Sequence, residues 1–165
     1  MTCQDARKEL SWQLPARLLI VNDEQRSLEM QHLVAEVFEL AAALRRDGET
    51  TAKLAGQTQA RWQLMWIAAT GRFSVPMIAR RLGITRQSVQ RVADAIIAEG
   101  LATFEPNPDH RRSPLLILTP SGQEALEAIN QHSRESHVQQ TTILGEDGVA
   151  ELRRLLRLYR DSLRD

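Results

Sequence analysis

Cysteine is nearly absent from this chain: Cys3 stands alone among 165 residues. A lone thiol excludes an intramolecular disulfide framework and any metal site built from cysteines only. Aromatic residues make up 4% of the sequence and β-branched runs are few, which favours a helix-rich fold over a sandwich or barrel. No apolar stretch approaches the ~20 residues that span a bilayer. The start, "MTCQDARKELSWQLPARLLIV", lacks the basic-then-apolar order of a signal peptide, so the expected location is cytoplasmic. Catalytic signatures are missing too: there is no Gly-x-Ser-x-Gly elbow, glycine-rich phosphate loop or His-Glu-x-x-His pair. The histidines (His32, His110, His132, His137) are scattered, and His132 and His137 do not share a helix face. No metal, other cofactor or enzymatic activity is expected.

The formal net charge is zero, but the charge is unevenly spread. From Arg72 to Arg112 there are seven arginines, no lysine and four acidic residues. Arginine is the better donor to phosphates and base edges. A solvated helix face gives similar numbers, so charge alone decides nothing.

Helical periodicity dominates both ends. Over Glu24–Arg46, the residues Met30, Leu33, Val37, Leu40 and Leu44 step by three and four, an apolar seam facing a partner helix. The cations and Gly48 of "RRDGET" predict its end. "EDGVAELRRLLRLYRDSLRD" repeats the design with Val149, Leu152, Leu156, Tyr159 and Leu163, and has arginines on the opposite face. Two such seams can pack within one chain or across a two-fold axis. Leu155 and Leu158 widen the second stripe, which favours a homodimer.

Between these helices the elements are short. "QTQARWQLMWIAAT" (57–70) predicts a helix with Trp62, Met65, Trp66 and Ala69 on one face, closed by Gly71. In "FSVPMIARRLG", Ser74 is an N-cap, Pro76 falls in the first turn and Gly83 sits just past the end. "ITRQSVQRVADAIIAEG" then starts at a second cap, Thr85, and closes at Gly100. Two helices meeting through a short glycine-containing turn form a helix-turn-helix. Ile78 and Leu82 face Val89, Val92 and Ile96, leaving Arg86, Gln87, Gln90 and Arg91 on or beside the outer face. A recognition helix presents its N-terminal residues to base edges, where arginine reads guanine and glutamine reads adenine.

After Gly100, "LATFEPNPDHRRSPLLILTP" predicts two strands, Leu101–Glu105 and Leu115–Leu118, joined through the turn formers Pro106, Asn107, Pro108 and Asp109. Thr119 then caps a further helix that has Pro120 in its first position. A hairpin directly after a recognition helix is a wing. An Asp109–His110 pair with Ser113 as nucleophile is the enzymatic alternative, but neighbours on a turn rarely orient one another as a triad requires.

Together these motifs resemble the MarR family of winged helix-turn-helix transcriptional regulators. The resemblance covers about residues 60–125. It rests on the helix pair, the "EGL" turn, Asp94 seven residues before Leu101, the Asp-x-Arg-Arg of the wing, and the Thr-Pro-x-Gly that follows. It implies a mainly α fold with a small β wing, flanked by N- and C-terminal dimerisation helices. The corresponding domains are 1–50, 51–120 and 121–165. It further implies a homodimer that binds double-stranded DNA at a near-palindromic operator, as a repressor. The implied DNA contacts are Thr85, Arg86, Gln87, Ser88, Gln90 and Arg91 from the helix, and His110, Arg111 and Arg112 from the wing.

One of the paired arginines would reach the minor groove or phosphates, and the other would be held by Asp109 or Asp94. A small aromatic effector is also implied, with His32, Phe38, Trp62 and Trp66 as its candidate pocket. Against this, Trp62 and Trp66 at i, i+4 are more often core residues. Phe104 and Glu105 depart from the basic residues that many members carry in the first wing strand, and Ala95 follows Asp94 where arginine is frequent. The family's redox cysteine sits within the first dimer helix, whereas Cys3 precedes that helix here by some twenty residues. The alternative to DNA binding is a winged helix used for protein contacts.

Overall fold

Helix α1 runs from Asp23 to Leu54 in the computed structural model, which describes residues 22–163. Asn22 starts it, its Oδ1 accepting the Gln25 N–H at 2.8 Å, and Asp23 and Glu24 place negative charge in the first turn. The predicted stop at Gly48 is wrong, because the helix continues through it. Gly48 is buried, and a Cβ there would lie 2.8 Å from Gln59 Cγ. The Glu49 carboxylate accepts the Gln59 N–H at 2.9 Å. The glycine thus admits the next helix instead of ending its own. The real end is a turn in which Gln57 N–H returns to the Ala52 carbonyl at 2.9 Å.

The chain divides between Leu44 and Arg45 into two compact units. In the first, the predicted seam is present but uncovered: Met30, Leu33, Leu40 and Leu44 are 40–54% exposed and Phe38 is 71% exposed.

The second unit holds the core. Helix α2, Gln59–Ala69, is capped by Thr58, whose side chain accepts the Arg61 N–H at 3.3 Å. Its buried side chains are Leu64, Met65, Ile67 and Ala68, so the predicted apolar face is rotated. Trp62 is half-buried and Trp66 is 49% exposed. Smaller neighbours fill the interior, and each indole lies at its margin. That is where a ring with one polar edge fits: Trp62 Nε1–H donates to Asn130 Oδ1 at 3.2 Å.

Strand β1 (Phe73–Ser74) leads into α3 (Val75–Leu82), and α4 follows as Arg86–Ala98. Ile78, Val89 and Ile96 are buried as expected, Leu82 and Val92 are half-buried, and Ala93 adds a close contact with no exposure. The wing is β2 (Ala102–Glu105) antiparallel to β3 (Leu115–Leu118), pairing Ala102 with Leu118 and Glu105 with Leu115. Strand β1 adds to the other edge of β3, pairing Phe73 with Leu116, so the sheet order is β1-β3-β2. The aliphatic run of Leu115–Leu118 is therefore a central strand, with Leu115, Leu116 and Leu118 buried.

Helix α5, Pro120–Leu144, buries Gly122, Leu126, Ile129 and Ser133 along its first half. Its second half carries Val138, Ile143 and Leu144 in solvent. Helix α6, Glu146–Ser162, buries no residue at all. Among the described residues, no helix is long and apolar enough to cross a membrane.

Candidate nucleic-acid interface

The outward face of α4 is set by its cap. The Thr85 side chain accepts the Ser88 N–H at 3.1 Å, and the two hydroxyls share a hydrogen bond at 2.8 Å. Both hydroxyls thus serve the first turn, and the exposed long side chains of the outward face are Arg86, Gln87 and Arg91, with Gln90 half-buried beside them. Gln90 Nε2 donates to Asp94 Oδ1 at 2.7 Å. A carboxylate only accepts, so this contact fixes which way round the Gln90 amide lies. Asp94 is engaged with a glutamine of its own helix rather than with a wing arginine.

Asn107 builds the wing tip. It is buried, its Nδ2 donates to the Ser113 carbonyl at 2.9 Å and its Oδ1 accepts the Asp109 N–H at 3.1 Å. Its own carbonyl takes the His110 N–H at 3.2 Å. Among the described residues, no ion pair joins Arg111 or Arg112 to Asp94 or Asp109. Sequence reasoning placed Asn107 as a turn former and missed its role as organiser, which its burial reveals.

Two open grooves flank the wing. The first, about 670 Å³, brings Arg86, Gln87, Gln90, Arg91 and Asp94 of α4 together with Phe104 and Arg112 of the wing. The second, about 630 Å³, lies on the α3 side and is lined by Arg80 and Arg86 together with Asp109, His110 and Arg112. Arg112 lines both grooves and Arg111 lines neither. Glu105, the acidic departure in the first wing strand, is paired with Arg72 at 2.9 Å. The bidentate contact of Arg61 with Glu99 ties α2 to the end of α4. Neither pair could be read from spacing, since the partners lie 33 and 38 residues apart.

The sequence model of the MarR family matches residues 57–113. The uncharacterized protein Rv2011c of Mycobacterium tuberculosis (strain ATCC 25618 / H37Rv) is 53% identical over 105 residues, covering 64% of this chain and 73% of the relative. The chain belongs to the MarR family. The solved structure of the transcriptional regulator BldR from Sulfolobus solfataricus is similar with a TM-score of 0.70 at 17% identity, covering 86% of this chain and 99% of that one. Staphylococcus aureus MarR, solved with salicylate and kanamycin, gives a TM-score of 0.66 at 18% identity, covering 82% and 93%. The fold of this MarR-family chain is that of DNA-binding transcriptional regulators.

The residues expected of a MarR-family effector pocket are dispersed differently. A third cleft, about 820 Å³, is lined by Trp66 of α2, by Asn130, Arg134, His137 and Val138 of α5, and by Glu146 of α6. Trp62 does not line it but donates to Asn130, which does. His32 and Phe38 belong to the other unit. Cys3 lies outside the described residues.

Proposed function

We propose that this chain is a homodimeric repressor that binds a near-palindromic operator in double-stranded DNA. One observation carries the reading: a single groove gathers Arg86, Gln87, Gln90 and Arg91 with Arg112 of the wing. Those are base-reading and phosphate-reading groups with different reach. Helix α4 enters the major groove through Arg86, Gln87, Gln90 and Arg91. Arg112 is the arginine that reaches the minor groove or its phosphates, and Arg111 and His110 add contacts at the wing tip. The uncovered leucines of α6 support the dimer, which sets half-site centres one helical turn, ~10 base pairs, apart.

The operator is released by a small carboxylated aromatic. The cleft beside Trp66 has the size of a ligand site and offers a ring face together with Arg134 and His137. It differs from the four-residue pocket expected from sequence by drawing on α5.

Footprinting on the DNA beside the chain's own gene tests the reading, repeated across a salt series and with salicylate added. Protection of two symmetric half-sites that weakens by orders of magnitude as salt rises is expected. No protection, or tight binding by a monomer, would overturn it.

A further inference from the structure

Arg81, exposed on the last turn of α3, is unused by the reading above. It lines neither wing groove nor the cleft beside Trp66 and, among the described residues, makes no ion pair. What it meets is aromatic. Its guanidinium carbon is 5.6 Å from the Trp66 ring centre and 5.3 Å from that of Phe73. Both rings are within cation–π reach, and a planar guanidinium suits a ring better than an ammonium does. One charged group thereby joins three elements: α2 through Trp66, α3 through Arg81 and β1 through Phe73.

Each ring has a second attachment. Trp66 lines the cleft that α5 and α6 complete with Asn130, His137 and Glu146. Phe73 is hemmed in: a Cβ on Gly71 would come 2.9 Å from its Cε2, and its backbone pairs with Leu116 of β3, the central strand of the wing sheet. A shift of the indole therefore either breaks the Arg81 contact or draws on α3, and α3 shares one core with α4 through Ile78 and Val89. We propose that Arg81 is a positioning residue that couples Trp66, and so occupancy of its cleft, to the helix pair that binds DNA. This rests on the DNA and effector readings.

Arg81 also offsets the α3 dipole, and Arg81→Lys keeps that charge while losing the planar group. Two readouts on the full chain test the coupling. The first is affinity for a duplex selected by the wild type from random-sequence DNA, with and without salicylate. Coupling between sites is typically 5–150-fold, and contacts as exposed as these place the wild type at the low end, a fall of about five- to tenfold. Without salicylate, Arg81→Gln is expected to bind the duplex as the wild type does, with the same salt slope. With salicylate it should lose no more than about twofold, with Arg81→Lys in between and helix content unchanged in all three.

The second readout needs no ligand. Trp66 lines neither groove beside the wing, so its indole N–H resonance, assigned with Trp66→Phe, reports duplex binding only through coupling. It should move when duplex is added to the wild type and stay in place in Arg81→Gln. A wild-type shift or an undiminished salicylate effect in Arg81→Gln overturns the inference, as does a wild-type resonance that ignores the duplex. Weaker binding with a shallower salt slope in Arg81→Gln also overturns it, by making Arg81 a phosphate donor. Wild-type affinity that ignores salicylate, with the resonance behaving as expected, overturns the effector reading alone. A wild type that binds no duplex overturns the DNA reading and this inference with it.

Discussion

The carbonyl oxygen of Leu101 lies 1.9 Å from where a Cβ on residue 122 would sit. Gly122 is glycine because that oxygen is backbone and has no rotamer to escape into. The same oxygen accepts the Thr119 N–H at 3.1 Å. Thr119 Oγ1 donates to the Gly100 carbonyl at 2.7 Å and accepts the Gly122 N–H at 3.1 Å. The "EGL" and "TPSG" stretches are thus two halves of one joint, which fixes the end of α4, the start of the wing and the first turn of α5.

Gly122→Ala must push α5 off Leu101 and break that joint. Overpacking of this kind costs about 3 kcal/mol, which corresponds to a fall in Tm of roughly 6–12 °C for a chain of this size. A melt followed by circular dichroism checks it, and an unchanged Tm would mean that α5 moves aside without strain.

Asn107→Asp separates the two bonds of the wing organiser. Aspartate keeps an acceptor for the Asp109 N–H but has no donor for the Ser113 carbonyl, which now receives Nδ2 at 2.9 Å. Leaving that carbonyl unpaired costs about 1–3 kcal/mol. The damage should stay local: amide exchange at His110 and Ser113 accelerates, DNA binding weakens and the global melt shifts little. Unchanged exchange at both amides would show that the tip is held by something else.

Asp94→Asn tests how Gln90 is oriented. The carboxylate accepts from Gln90 Nε2 at 2.7 Å, whereas an asparagine amide can meet the glutamine either way round. Affinity for the best operator should fall modestly. Base preference at one position per half-site should relax, by up to the roughly 1–3 kcal/mol that a bidentate contact discriminates. Selection from randomised duplexes reads this directly, and identical base frequencies for variant and wild type would rule it out.

The helix-turn-helix and wing were legible because chemistry stands at their boundaries: Thr85 and Thr119 cap helices through their side chains, and Gly83 takes a φ of 67°. The end of α1 was not legible, because a glycine that admits a neighbouring chain looks the same in sequence as one that ends a helix. Strand β1 has two residues, too few for any period. Trp66 shares the spacing of a core position but not its surroundings. In the site, the exposure of Arg86, Gln87 and Arg91 on the outward face followed from the α4 period. The choice between Asp109 and Asp94 as the holder of a wing arginine was not legible, and Asp94 meets Gln90, one turn away on its own helix, at 2.7 Å.

The most demanding prediction concerns α6. Leu152, Leu155, Leu156 and Leu158 are 39–55% exposed, and the helix buries none of its residues in its own chain. Moving such a leucine out of water contributes about 1.5–3 kcal/mol, and at a two-fold interface a single substitution counts twice. Leu156→Asp therefore has little to disturb within the monomer, so helix content should hold. Association should fail, with sedimentation showing half the mass of the wild type. Operator affinity should fall with it, because each protomer alone reads only one half-site. A variant that stays dimeric would remove the α6 seam from the interface and leave the exposed face of α1 as the alternative.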